Sequence, residues 1–257
     1  MVAPLSVYSV GMSGIGFPQW RYHYQRYITA VSPKPPPEVV VLNYYSGNDA
    51  TDTRVFIGLQ DESGTVDATD YFTYINHQYL VPLSNRRYTL PKLPELYFIM
   101  NSILYTFNYA GEKDNAGSSL LINGEALPVC LKHREPAPSI LSDEILQQIS
   151  MAVDTIRTVR PDTQIILSYI TTSGGIYGDL MEDCPDYALE MERQEISSEF
   201  LAGYAEEQNI HYVDFTPDLR EHNREAIVWS QTDHFSPEGY KFYAQLLANK
   251  IEMVLDQ

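Results

Sequence analysis

The sequence predicts an α/β protein built on a parallel, doubly wound sheet, and three observations carry that expectation. Val39-Val-Val-Leu-Asn-Tyr-Tyr45 is apolar or β-favouring with almost no alternation, as suits a strand covered on both faces. The run stops at Ser46-Gly47, a turn signal. Strand-like and helix-like segments then alternate toward the far end of the chain, the rhythm of βαβ units. Its 257 residues fit a single domain spanning 1–257, with an insertion, better than two domains.

Taken in order, Leu5 to Val10 reads as a short strand. It runs into the glycine-rich Gly11-Met-Ser-Gly-Ile-Gly16, after which Pro18 to Ala30 reads as an aromatic-rich helix. Four prolines between Ser32 and Pro37 forbid a helix there, so the chain enters the Val39 strand from a loop. Residues 59 to 138 then lose the rhythm, and some 80 residues without sheet periodicity read as an insertion or cap. That stretch holds β-like pieces at Tyr71–Tyr74 and Tyr79–Val81, an apolar helix from Leu93, and a Gly/Asn/Ser run from Gly111 to Ser119. Its many aromatics either line a cleft, where they could stack on sugar rings, or simply pack the insertion onto the sheet.

The rhythm resumes at Ser142, which is placed to cap a helix with Asp143 and Glu144 in its first turn, where the dipole favours negative charge. Ile145, Leu146, Ile149, Ala152, Val153 and Ile156 form its apolar stripe, and Pro161 ends it. Thr163 to Ile170 is a strand leading into a Thr-Thr-Ser-Gly-Gly loop. A helix from about Pro185 to Gln208 follows, with Leu189, Ile196, Phe200, Leu201 and Tyr204 facing inward, and Ile210 to Asp214 is the next strand. Ser236 caps and Pro237 opens a last helix carrying Tyr240, Tyr243, Leu247, Ile251 and Val254 on one face.

Composition narrows the function. With 17 basic against 34 acidic residues the formal net charge is −17, which disfavours nucleic acid and anionic membrane surfaces as partners. Cys130 and Cys184, the two cysteines, make neither a disulfide framework nor a zinc pattern, and leave the compartment undetermined. No charged-then-apolar leader opens the sequence, which reads as lacking a signal peptide. The apolar helix from Leu93 to Ala110 is interrupted by Glu95, Asn101, Ser102 and Asn108, so it is not a membrane span and a soluble protein is expected. No phosphate loop, dinucleotide fingerprint or metal-ligand cluster is found, and no cofactor is expected.

Two places could carry chemistry. Asn48, delivered just past the Val39 strand, stands on the rim where ligands bind in open α/β sheets, and its amide could donate to a developing oxyanion. His234, in Trp229-Ser-Gln-Thr-Asp233-His234-Phe-Ser-Pro-Glu-Gly-Tyr240, is held directly ahead of a capped helix, with a pKa suited to proton transfer. His23, His77, His133, His211 and His222 have no such setting.

Together, Gly11-Met-Ser13-Gly14, Gly47-Asn48-Asp49 and Asp233-His234-Phe-Ser-Pro-Glu-Gly resemble blocks two, three and five of the SGNH (GDSL-type) hydrolases, in order and on matching elements. The resemblance covers the chain from about residue 7 onward. It implies a flavodoxin-like, three-layer α/β/α fold and a lipase-like serine esterase acting on carboxylic or O-acyl esters of a small molecule or carbohydrate. The Gly14 N–H and the Asn48 amide would form the oxyanion hole, and His234 would be the base with Asp233 beside it.

Two features depart from the family. The block-five carboxylate usually stands two or three residues before the histidine, where this chain has Thr232 and Gln231. Block one, Gly-Asp-Ser-Leu, is not found: Ser13 precedes Asn48 by 35 residues, room for one strand–helix unit where two are needed. Three explanations stay open: the nucleophile strand lies upstream of this sequence, the protein is a silent relative that binds acylated carbohydrate or a partner protein, or Ser13 has been recruited as nucleophile. A competing α/β-hydrolase elbow at Ser13 fails, because its second glycine falls at 16 rather than 15 and only one strand precedes it. A sheet short of a strand could be completed by Met1 to Pro4 or by a second subunit, so an oligomer is possible.

Overall fold

Three segments with unbroken β-favouring runs pair in parallel, as their sequences require. A computed structural model describes residues 7, 16–30, 36–47, 49–58, 119–122, 125–128, 141–177, 187–224 and 235–256. In chain order these form α1 (Phe17–Ala30), β1 (Val39–Tyr45), α2 (Asp49–Gly58), β2 (Ser119–Ile122), β3 (Glu125–Pro128) and α3 (Asp143–Val159). They continue as β4 (Gln164–Ile170), α4 (Ser173–Tyr177), α5 (Tyr187–Glu207), β5 (His211–Asp214), α6 (Thr216–Glu221) and α7 (Pro237–Leu255). The fold is mixed α/β. Its main sheet has the order β1-β4-β5, with Leu42 opposite Leu167 and Leu167 opposite Tyr212.

Alternate residues of this sheet serve two faces. On one, Leu42, Tyr44, Ile165, Leu167 and Tyr169 meet Phe17 and Tyr24 of α1, the Ile145, Ile149, Val153 and Ile156 stripe of α3, and Leu201, Tyr204 and Ala205 of α5. On the other, Ile166 and Val213, with Val39, Val41 and Phe215, meet Ile251 and Val254 of α7. Burial on both sides explains why these strands lack polar alternation.

The predicted α3 forms as expected, and Pro161 follows its end at Val159. Ser142 holds the N-cap position, but its side chain makes no capping hydrogen bond. In α5 the expected inward face is corrected. Leu201 and Tyr204 are buried, but Ile196 and Phe200 are 48% and 38% exposed, and the buried stripe is Gln194, Ser197, Leu201 and Tyr204. The polar strand ends need partners, and the helix turns Gln194 and Ser197 toward them. In α7, Tyr243 and Val254 are buried while Tyr240 is 53% exposed, its ring edge lying on Phe235.

The loop expected after β4 is instead the single turn of α4, held by Gly175 N–H donating to Thr172 O and by buried Ile176 and Tyr177. The helices α2 and α6 were not anticipated from the sequence. Within the irregular stretch, β2 and β3 pair as an antiparallel ladder. The remainder of 59–138 lies outside the described residues, as does the segment 5–10 except Val7, which is exposed and in no strand.

Candidate functional site

The carboxyl end of β1 is fastened on every side. Backbone N–H of Ser46 donates to Ile170 O at 2.9 Å, carrying the ladder one residue beyond the strand. The Ser46 hydroxyl donates to Gln194 Oε1 at 2.8 Å. Asp49, opening α2, reaches back so that its Oδ2 accepts the Tyr45 N–H at 2.8 Å. Between them Gly47 lies under the Tyr45 ring, where an added Cβ would come within 2.5 Å of a ring carbon and push that ring aside.

Asp49 is an unusual anchor. It is almost fully buried, and burial pushes its carboxyl well above the ordinary carboxylate range. The Tyr45 N–H acts in the opposite sense, and Asp52 nearby adds to the rise. Both a neutral and an ionised carboxyl keep an acceptor for that N–H.

Gly16 and the start of α1 pack against α2. The Gly16 N–H donates to Gln19 Oε1 at 2.9 Å, a third-position glutamine reaching back over the helix start. Phe17 N–H donates to Thr53 Oγ1 at 3.1 Å. A Cβ on Gly16 would stand 2.5 Å from Thr53 Oγ1 and 3.1 Å from Asp49 O, so this glycine permits backbone contact with the first turn of α2. Phe17 then stacks obliquely on Tyr44, ring centroids 5.2 Å apart.

The segment before α7 is anchored on the opposite face of the same strands. Ser236 Oγ accepts the Gly239 N–H at 3.0 Å, a true N-cap. Phe235 is buried, its ring 5.8 Å from Tyr243. The Tyr243 hydroxyl lies 2.6 Å from Ser168 Oγ on β4 and donates to Asn43 Oδ1 on β1 at 3.1 Å. Burial raises the Tyr243 phenol to about 12, so it stays a neutral donor at physiological pH.

The predicted site residues Ser13, Gly14, Asn48, Asp233 and His234 lie outside the described residues. Their chain neighbours Gly16, Gly47, Asp49 and Phe235 are described: Gly47 and Asp49 follow β1, Gly16 packs on the start of α2, and Phe235 lies against Tyr243 of α7. Sequence reasoning missed Gln194, whose amide oxygen accepts from Ser46, Tyr169 and Thr171 while its NH₂ donates to Thr172 Oγ1 at 3.1 Å. A glutamine in a helix carries no signal that it will be turned inward. It also missed Asp214 at the end of β5, which accepts from Ser198 Oγ at 2.6 Å and Thr216 N–H at 2.8 Å. Among the described residues no group of three or more His, Cys, Asp or Glu could hold a metal ion, and no helix is long and apolar enough to cross a membrane. No protein family, curated protein or solved structure matches the chain.

Proposed function

We propose that the chain is an ester hydrolase of the SGNH type on a flavodoxin-like sheet, with Asn48 and Gly14 as oxyanion donors, His234 as base and Ser13 as the nucleophile it offers beside them. One observation supports the reading above the rest. The turn that carries Asn48 follows a β1 end held by Ile170 and Asp49, on the rim where open α/β sheets bind ligands, and Phe17 and Tyr243, near the other two motifs in sequence, touch Tyr44 and Asn43 of the same strand. In this reaction the serine oxygen attacks the ester carbonyl as its proton passes to His234. The carbonyl oxygen takes up charge against the two donors. The carbon–oxygen bond to the alcohol then breaks, the alcohol leaving with the proton, and water releases the acid from the acyl-serine by the same steps.

Hydrolysis of 4-nitrophenyl acetate by the wild type tests this, set against His234→Ala, Asn48→Ala and Ser13→Ala. Loss of one oxyanion donor typically lowers turnover by ~10²–10³, and that is expected for Asn48→Ala. Wild-type rates in both His234→Ala and Asn48→Ala would end the assignment. Full activity in Ser13→Ala alone would move the nucleophile elsewhere.

The second reading is a silent SGNH-like module binding acylated carbohydrate or a partner protein. It is favoured by Gln231-Thr232 standing where the family carries its acid. It expects no turnover in the wild type, together with a rise in melting temperature on adding an acetylated oligosaccharide.

A further inference from the structure

The outward face of α5 carries an apolar stripe that stays outside the core. Ile196, Phe200 and Gly203 recur at i, i+4 and i+7, so they lie in one row on the helix surface. All three are exposed. A Cβ added to Gly203 would meet nothing within 4 Å, so packing within the fold does not ask for glycine there. Glycine in a helix interior lowers stability relative to alanine. Its presence leaves a notch where another molecule can approach the backbone closely. Along one border of the stripe stand Glu192, Glu195, Glu199 and Glu206, all exposed. Spacings of three and four bring these like charges together, which disfavours the free helix. Among the described residues none of the four is in an ion pair. Arg193 stands on the other border and is half-buried.

We infer that this face docks a basic amphipathic helix of another protein. Lysines or arginines of the partner pair with the glutamate border, and an apolar side chain settles on Ile196 and Phe200 over the Gly203 notch. Apolar contact supplies the attraction, and the charge row sets the orientation. The same row decides against other occupants. A second copy of this chain would bring glutamates against glutamates, and its formal net charge of −17 repeats the repulsion over the whole molecule. Nucleic acid and anionic membrane are repelled in the same way. A stripe from 196 to 203 is short, so the contact is a small and reversible one. The inference does not rest on the ester-hydrolase reading.

The probe is a synthetic helix of about 18 residues, with leucine along one stripe and lysine elsewhere, and fluorescence anisotropy reads its binding to the whole chain. Phe200→Ser, and Glu195→Gln combined with Glu199→Gln, are each expected to weaken binding about tenfold. Glu238→Gln combined with Glu252→Gln is the control. It removes the same charge from exposed positions on α7, which covers the other face of the sheet, and should change binding by less than about twofold at ~0.15 M salt. Gly203→Gln fills the notch. It should raise the melting temperature, since a helical glycine is gone, and still weaken binding about tenfold, a combination that loss of folding cannot produce. No saturable binding by the wild type, equal weakening by the two glutamate pairs, or wild-type affinity in Gly203→Gln overturns the inference. So does a dimer of the free chain in analytical ultracentrifugation that Phe200→Ser dissolves, which would put a second copy on this face.

Discussion

Asp49 shows how much of a turn is decided by one side chain. Its native carboxyl is held above the ordinary range by burial, so the folded state favours the protonated form. The stability that goes with this is fully present below the unfolded value of about 3.9. It is lost as pH rises from there through the native value. Asp49→Asn keeps an acceptor for the Tyr45 N–H and cannot ionise. The melting temperature of Asp49→Asn relative to wild type is therefore expected to increase between pH 4 and pH 8, read by thermal denaturation at each pH. Taking the difference removes the general repulsion of an acidic chain. A difference that stays flat or narrows with pH would contradict the assignment. Gly47-Asn48-Asp49 was legible in the sequence as a turn past a strand. The burial of its acid was not, because the Gly16–Phe17 backbone that packs on the start of α2 comes from a distant part of the chain, Phe17 lying 36 positions from its partner Thr53.

At the level of elements, two serines that look alike in sequence behave differently. Ser236 spends its oxygen on the Gly239 N–H, whereas Ser142 makes no side-chain cap. Ser236→Ala is expected to cost about 1 kcal/mol, and Ser142→Ala less than about 0.5 kcal/mol, measured by urea unfolding. Equal costs would mean that the capping bond of Ser236 adds nothing beyond what Ser142 supplies without one. Helix boundaries were readable here because Pro161 and Ser236-Pro237 act locally. The inward face of α5 was not readable. Ile196 and Phe200 are the more apolar choice, yet Gln194 and Ser197 face in, since strand termini leave hydroxyls and carbonyls that apolar side chains cannot satisfy. The single turn of α4 was missed for a similar reason: Ser-Gly-Gly favours a loop, and buried Ile176 and Tyr177 override it.

Across the whole molecule, the parallel sheet followed from uninterrupted β-favouring runs, and its order β1-β4-β5 did not, because pairing partners leave no mark on either strand alone. The tie between α7 and the sheet belongs to this scale. Tyr243 joins Ser168 and Asn43, the latter 200 positions away in sequence. Tyr243→Phe leaves the fully buried Ser168 hydroxyl without that partner and is expected to cost about 1–3 kcal/mol in equilibrium unfolding. Adding Ser168→Ala should recover part of the loss, since the stranded group is then gone. A double mutant less stable than Tyr243→Phe would argue against the bond.

The packing of α7 also orders events during synthesis. A ribosome adds ~5–20 residues per second, and every strand that α7 covers is made before it. Val41, Ile166 and Val213 therefore emerge from the exit tunnel with one side bare, and stay wet until Ile251 and Val254 follow. For those seconds the nascent sheet is a sticky surface, and a chaperone that shields apolar strands has its clearest opportunity there.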